Sequence, residues 1–232
     1  MHAISQILCE PMIQQDIYYT QIMKKILSIP LLFVTWTTFA AIPNNYYSSA
    51  DGKSSTAILQ ALHAIIDNHT VISYDNLEPY YEQTDMDSTG HIWDMYSTCL
   101  FTMKDANHNQ KNVCDAWNKE HSVPQSWFKE KSPMKSDLFH VVPTDARVNN
   151  FRGNMPYGET SSRAYIDNDK NALGYKGTSV TSSIGQVFEP IDEYKGDFAR
   201  IYFYMVTRYL DMNLAQSEGS KVFAYQGGTL SF

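Results

Sequence analysis

One stretch near the middle of the chain constrains the fold most. The run Leu138–Val142 is apolar and partly β-branched, and it ends at Pro143. This pattern predicts a short strand that cannot continue past the proline. Thr144 is a suitable N-cap residue and Asp145 a favourable first-turn acid, so a short helix that ends near Gly153 should follow. A strand and a helix are therefore expected directly after one another.

Three polar residues are associated with this strand and helix. Glu120 and His121 are adjacent, and Asn149 falls in the middle of the predicted helix. If Glu120 and His121 lie on a neighbouring strand, the order is strand, loop, strand, helix. A carboxylate and an amide oxygen are hard donors that suit Mg²⁺ or Ca²⁺ better than zinc. An imidazole with an ordinary pKa of about 6.5 can accept a proton at neutral pH, which makes His121 a candidate general base.

These residues lie within longer matches that resemble the bacterial endonuclease I family of secreted, non-specific nucleases. The chain looks most like the versions from Bacteroides-type bacteria, and the resemblance extends from Ile42 to Leu210. It implies an α+β fold, with a His-Me finger (ββα-metal) core embedded in a mixed, helix-rich single domain. The matching segments are residues 114–128, 136–159, 187–190 and 195–205.

The resemblance also implies a role for each of the three polar residues. Glu120 and Asn149 would bind the metal, which is Mg²⁺ with Ca²⁺ or Mn²⁺ as alternatives. His121 would deprotonate the water that attacks phosphorus. The implied function is hydrolysis of phosphodiester bonds in DNA and RNA substrates with little sequence specificity, leaving 5′-phosphate ends.

A cation that contacts the phosphate is also expected, because a guanidinium matches phosphate geometry. In a family member this arginine lies in a long insertion between the two strands, which the present chain replaces with the short Lys129–Ser136 connection. The candidates are therefore Lys131, Lys135 and Arg152. Arg152 is the candidate catalytic cation and the lysines are candidate substrate contacts, although Arg-Gly-Asn is also typical of a structural brace.

Two more polar residues are candidate substrate contacts. His140 lies within the predicted second strand, where it could orient a partner, and packing is as good an interpretation as substrate contact. Asn154 follows the predicted helix, where turn and cap residues are common. The sequence therefore leaves a structural role open for both.

The N-terminal sequence predicts export. Lys24 and Lys25 precede the apolar stretch Ile26–Val34, and small residues up to Ala41 offer a cleavage site. This predicts a signal peptide over residues 23–41, with residues 1–22 as a misassigned leader. The apolar stretch is too short for a membrane span, which needs about twenty apolar residues. The expected product is a monomer, secreted or periplasmic, without stable membrane association after cleavage.

Two cysteines remain after signal cleavage. In an oxidising compartment Cys99 and Cys114 can form a disulfide, and two free buried thiols are the alternative. Together with His121 and His140 they are four potential zinc ligands. The sequence has no Cys-x-x-Cys or His-x-x-x-His pair, so a structural zinc site is not predicted.

The composition is typical of a folded domain that is not strongly attracted to nucleic acid overall. The chain is 43% hydrophobic and carries a net charge of −7. Residues 119–163 nevertheless hold seven basic and five acidic side chains, a local charge of +2, which suits salt-sensitive phosphate contacts. Apolar residues at helical spacing predict one helix over 58–66, capped by Ser54 or Ser55, and another over 198–209. Residues 168–185 should form a loop or irregular hairpin.

The C-terminus departs from the family pattern. Relatives usually continue beyond the second helix, whereas this chain stops at Phe232. We therefore expect a nuclease domain over residues 42–232 that is shortened at its C-terminus. The alternative functions are a catalytically impaired, secreted nucleic-acid-binding protein of the same fold and a hydrolase of another phosphodiester.

Overall fold

The structure is a computed structural model that describes residues 42–107, 110–214 and 222–223, and the backbone of 225–226 and 229–230. The predicted leader (1–22) and signal peptide (23–41) lie outside these residues. No helix in the described part of the chain is long and apolar enough to cross a membrane. The chain divides into two compact units, one ending at Asn68 and one beginning at His69. The nuclease-domain boundaries at 42 and 232 stay a prediction.

The first unit contains helix α1 (Ser55–Ile66), which the apolar spacing predicts. Ser54 is its N-cap residue, as expected, although the side chain makes no capping hydrogen bond. A 3₁₀ turn, Ser48–Ala50, precedes the helix. The hydroxyl of Tyr46 donates to the carbonyl of Ile65 over 3.4 Å, which ties the incoming chain to the end of α1.

The second unit mixes helices with small antiparallel sheets, which confirms the α+β class. Its described helices are α2 (Glu78–Thr84), α3 (Ala146–Arg152) and α4 (Asp192–Arg208). Its described strands are β1 (Trp117–His121), β2 (Val141–Asp145), β3 (Tyr175–Thr178), β4 (Gln186–Glu189), β5 (Tyr225–Gln226) and β6 (Thr229–Leu230), and each pairs with one neighbour as β1–β2, β3–β4 and β5–β6. Helix α4 contains the predicted helix over 198–209 except for its last residue, Tyr209, which is the C-cap. The β3–β4 hairpin occupies part of the segment predicted as a loop or hairpin.

Strands β1 and β2 lead directly into α3, so the predicted order of strand, loop, strand and helix is confirmed. The predicted bounds of the second strand were wrong. Leu138–His140 form a turn, because the carbonyl of Asp137 accepts the N–H groups of both His140 and Val141. Pro143 lies inside β2 rather than after it. Each strand of a two-stranded sheet has an unpaired edge, which tolerates a residue that has no N–H.

Helix α3 begins one residue later than the sequence predicts. Asp145, not Thr144, is the N-cap residue, and its Oδ1 accepts the N–H groups of Arg147 at 2.8 Å and Val148 at 3.0 Å. These bonds satisfy two of the helix N–H groups that have no partner within the helix. Gly153 follows the helix with φ +57°, which confirms the predicted end.

A disulfide joins Cys99 to Cys114, as one of the two sequence alternatives predicts, with their Cα atoms 5.3 Å apart. The N–H of Cys114 donates to Oδ2 of Asp145 over 2.7 Å. The carboxylate that caps α3 with one oxygen therefore holds the segment before β1 with the other.

Two apolar clusters support this arrangement, and α4 contributes to both. Phe198 packs in the first cluster and Met205 in the second. The second cluster also includes the buried side chains of the connection between β1 and β2, which are Val123, Trp127, Phe128 and Met134. The connection is therefore packed against α4 rather than free in solvent.

Candidate active site

Glu120 is a buried carboxylate near the end of β1, and 3% of its surface is exposed. Its Oε1 accepts two hydrogen bonds, one from Nη1 of Arg152 at 2.7 Å and one from the hydroxyl of Tyr96 at 2.7 Å. Burial raises the pKa of the Glu120 carboxyl above its ordinary value, while Arg152 and Tyr96 oppose this by stabilising the charged form. Both of these side-chain bonds end on Oε1, and the backbone N–H of His121 also stabilises the charged carboxylate.

Arg152 lies on α3 with a side chain that is 0% exposed. Besides its bond to Glu120, Nη1 donates to the carbonyl of His121 at 2.8 Å, and Nη2 donates to the carbonyl of Ser122 at 2.7 Å. Its Cζ lies 4.6 Å from the centre of the Tyr157 ring. The guanidinium, a candidate catalytic cation in the sequence, thus lies in the interior, where it joins α3 to the end of β1.

His121 is the last residue of β1 and is 6% exposed. Its Nε2 lies 2.9 Å from the carbonyl of Lys135, and because a carbonyl can only accept, Nε2 carries the proton. The lone pair of this tautomer is on Nδ1. The ring stacks on Tyr74, with centroids 5.3 Å apart and planes 14° from parallel.

Burial lowers the pKa of His121 to about 3, and the neighbouring His140 adds to the effect. A folded-state pKa this low keeps the imidazole neutral at physiological pH. The ring is therefore uncharged, and the bond from Nε2 to Lys135 leaves Nδ1 as the atom with a free lone pair.

Asn149 faces β1 from the middle of α3. Its Nδ2 donates to Oδ1 of Asn118 at 2.7 Å and to the carbonyl of Lys119 at 3.3 Å. A backbone carbonyl is an obligatory acceptor, so these bonds decide which end of the amide is nitrogen. Oδ1 of Asn149 then points away from both partners and is available as a hard oxygen ligand.

The donor atoms fit a hard divalent cation. Oε2 of Glu120 and Oδ1 of Asn149 are oxygen ligands of the kind that Mg²⁺ and Ca²⁺ prefer. One other group of potential ligands occurs among the described residues, where atoms of Cys99, Cys114 and Asp145 lie within 4.8 Å of one another. Both sulfurs of that group are in the disulfide and offer no thiolate, so it does not suit a metal.

The remaining candidate residues lie at different depths. Lys131 and Lys135 are on the connection between β1 and β2, and Nζ of Lys135 forms a 2.8 Å ion pair with Glu130. Lys131 is exposed, as is Asn154 just beyond α3. His140 is 0% exposed, and its Nε2 lies 2.6 Å from the carbonyl of Met134. The structure brings Lys135 to His121 through its backbone carbonyl rather than its ammonium group.

Sequence reasoning missed several residues that shape the site. Tyr96 donates to Glu120 from 24 positions away, and its hydroxyl also lies 2.6 Å from that of Tyr157. Tyr74 covers the ring of His121 from 47 positions away. Nothing in the sequence relates such distant tyrosines to the site. Asn118 is different, because its place two residues before Glu120 on a strand could have indicated a position on the same face.

Comparison with known proteins identifies the family. The family model described as Endonuclease I matches residues 54–230. The chain belongs to the endonuclease I family. This endonuclease I chain is 33% identical over 201 residues to the protein named extracellular ribonuclease of Bacillus amyloliquefaciens. That alignment covers 82% of the chain and 64% of the relative.

A second relative gives the same result. The protein named extracellular ribonuclease of Bacillus subtilis (strain 168) is 31% identical to the endonuclease I chain over 194 residues, which are 79% of the chain and 62% of the relative. The chain thus spans less than two thirds of the length of either relative. No solved structure matches it. The particular likeness to Bacteroides-type versions stays a prediction.

Proposed function

We propose that this endonuclease I chain is a secreted, metal-dependent nuclease that hydrolyses phosphodiester bonds in RNA and DNA. The observation that carries the proposal is the geometry of His121: its Nε2 bonds to the carbonyl of Lys135 and leaves Nδ1 as the accepting atom. The residue ends the strand that also carries Glu120, and Asn149 contacts that strand through the carbonyl of Lys119. The relatives named extracellular ribonuclease support export and an RNA substrate. The family description supports endonucleolytic cleavage.

The ββα order of β1, β2 and α3 supports the His-Me finger assignment. Glu120 and Asn149 would hold the divalent cation, with Mg²⁺ as the proposed ion. A cation bound there supplies Lewis-acid stabilisation of the charge that develops on phosphate. In the proposed reaction His121 accepts a proton at Nδ1 from the attacking water, and a general base contributes on the order of a hundred- to ten-thousand-fold in rate. The products carry 5′-phosphate and 3′-hydroxyl ends.

The structure supports different roles for the three candidate cations, Arg152, Lys131 and Lys135. Arg152 has no exposed surface and already bonds to Glu120 and two carbonyls, so we assign it to holding β1 and not to the phosphate. Lys131 and Lys135 are on the connection next to His121, and we propose that they contact the substrate backbone with Asn154. Contacts to phosphate carry no sequence information, which agrees with little sequence specificity.

Cleavage of supercoiled plasmid and of a folded RNA by the purified protein tests the proposal. Mg²⁺ should support cleavage of both, and EDTA should stop it. His121→Ala should lower the rate by about a hundred- to ten-thousand-fold because the general base is lost. His91→Ala, a half-buried histidine that bonds to Thr89 in a separate turn, is the matched control and should cleave normally.

The product ends are tested in the same experiment. Fragments with 5′-phosphate should accept a kinase label only after phosphatase treatment. Nucleic acid binding without cleavage, by a wild-type protein that circular dichroism shows to be folded, would favour the impaired binding protein instead. Equal cleavage by wild type and His121→Ala would remove His121 from the mechanism.

A further inference from the structure

The inference starts from His140, a fully buried histidine next to the proposed general base. Its Nε2 lies 2.6 Å from the carbonyl of Met134, so Nε2 carries the proton and donates it. Its Nδ1 is buried and has no hydrogen-bond partner among the described residues. Burial lowers the pKa of His140, in keeping with a neutral ring. A neutral ring with its proton on Nε2 satisfies these contacts, because it leaves no N–H group unpaired.

His121 makes the same kind of bond to the next residue of the same turn. Nε2 of His140 bonds to the carbonyl of Met134, and Nε2 of His121 bonds to the carbonyl of Lys135 at 2.9 Å. The two ring centroids lie 5.5 Å apart with planes at 54°. The last residue of β1 and the residue just before β2 therefore hold consecutive carbonyls of the 3₁₀ turn Met134–Ser136.

The turn has few backbone bonds of its own, although Met134 is buried in the second apolar cluster and the N–H of Lys135 reaches the carbonyl of Lys131 at 3.1 Å. The N–H of Ser136 reaches the carbonyl of Pro133 at 3.2 Å, and the N–H of Asp137 reaches that of Met134 at 3.3 Å. The preceding residues Lys131 and Ser132 are exposed. A short turn of this kind moves easily unless tertiary contacts fix it.

His140 itself is held firmly. Its ring packs edge-on against Phe128 with centroids 6.0 Å apart. Its carbonyl accepts the N–H of Ser122 at 2.9 Å, which continues the β1–β2 pairing by one step. The ring is thus fixed relative to the strand that carries His121.

We infer that His140 is a positioning residue for the general base. By fixing the carbonyl of Met134 it fixes the neighbouring carbonyl of Lys135, which orients the ring of His121. His140 is buried and touches no substrate, so its effect on the reaction passes through the turn. The inference rests on the proposed nuclease function, since it assigns a way of orienting the base of that same reaction.

A matched pair of variants tests the hydrogen bond apart from the packing. His140→Gln can place an amide donor near the position of Nε2, whereas His140→Leu fills a similar space without a donor. His140→Leu should lower kcat by about ten- to a hundredfold, the loss typical of a misplaced catalytic group, while KM stays close to that of wild type. His140→Gln should restore most of kcat. Equal loss in both variants, or wild-type kcat in His140→Leu, would overturn the inference.

A second measurement does not depend on turnover. In the wild-type protein labelled with ¹⁵N-histidine, NMR should show both His121 and His140 as neutral rings with the proton on Nε2. In His140→Leu the Nε2 proton of His121 should exchange with water faster, and in His140→Gln it should stay protected. A proton on Nδ1 of His140, or unchanged exchange in His140→Leu, would overturn the inference. Folded wild type that cleaves no nucleic acid would reject the proposed function instead, and the NMR result would still decide the role of His140.

Discussion

Glu120 and Glu189 are both buried and both lie in ion pairs, yet their carboxyls shift in opposite directions. Their exposed fractions are 3% and 2%. Burial raises the pKa of Glu120 above its ordinary value. At Glu189 burial also acts to raise it, but hydrogen bonds from Arg163, Lys195 and the backbone prevail and lower the pKa to about 2.

The difference comes from the partners. Glu189 uses both oxygens, with Lys195 on Oε1 and with Arg163 and the N–H of Thr160 on Oε2. Its cationic partners reach the surface, where their side chains are 59% and 33% exposed. Glu120 accepts both of its side-chain bonds on Oε1, and its partner Arg152 is 0% exposed. A carboxylate whose two oxygens bond to cations at the surface braces β4, whereas a buried carboxylate with a buried cationic partner is the candidate metal ligand.

The largest expected effect separates the two glutamates by activity. Glu120→Gln should lower kcat/KM at least about a thousandfold, because a lost metal ligand removes several kcal/mol of transition-state charge stabilisation. Glu189→Gln should leave kcat/KM close to wild type, since the partners of Glu189 are Arg163, Lys195 and the N–H of Thr160, none of which is a candidate site residue. Rates of plasmid nicking at saturating Mg²⁺ measure both. A comparable loss of kcat/KM in both variants would mean that the substitutions act by disturbing the fold and not by removing a metal ligand.

The second prediction concerns the cationic partners. Arg152→Met leaves Glu120 buried without its counter-ion and should lower the free energy of unfolding by about 3–5 kcal/mol. Lys195→Met removes a partly exposed partner from Glu189 and should cost about 0–1 kcal/mol. Urea denaturation of wild type and both variants in EDTA gives these values. A small change in Arg152→Met would show that water reaches Glu120 and offsets the loss of its counter-ion.

The smallest expected effect is a difference in pH dependence. The folded-state pKa of Glu189 is lowered from its ordinary 4.5 to about 2, so the stability it contributes is present above pH 4.5 and is lost as the pH falls towards 2. The stability difference between wild type and Glu189→Gln should shrink over that range. Urea denaturation at a series of pH values measures the difference.

For Glu120 the pH dependence of stability has the opposite sign. Its folded-state pKa is raised, so wild type should lose stability relative to Glu120→Gln as the pH rises through the ordinary value of 4.5. If the stability difference from wild type changed with pH in the same direction for Glu120→Gln and Glu189→Gln, the opposite pKa shifts of the two carboxyls would be contradicted.

The local elements of the site follow closely from the sequence. Helix α3 was predicted within one residue at its start and correctly at its end, because a cap and a glycine act over a few residues. The second strand was misplaced, because Leu138–His140 are apolar enough for a strand but are turned by Asp137. An apolar run shows that a segment is buried and does not by itself show which part is extended.

For the candidate site too, the sequence predicted some features and could not predict others. The sequence identified Glu120, His121 and Asn149 as residue types with suitable chemistry, because a motif fixes which groups lie near one another along the chain. It could not assign Arg152, since a phosphate contact and a structural brace use the same guanidinium. That assignment depends on the partners Glu120 and Ser122, which α3 reaches by packing across β1.

The sequence by itself determined the family, the ββα order, the pairing of Cys99 with Cys114 as one of two alternatives, and the residues that could hold a metal. The tertiary structure decided which oxygen of Glu120 accepts from Tyr96 and Arg152, which nitrogen of His121 carries the proton, and that both His121 and His140 bond to the turn Met134–Ser136. The physical reason is the distance along the chain over which each kind of interaction acts. Caps, turns and strand pairing act between near neighbours, whereas the state of a buried ionisable group depends on every group that replaces its water, including Tyr74 and Tyr96 from distant parts of the chain.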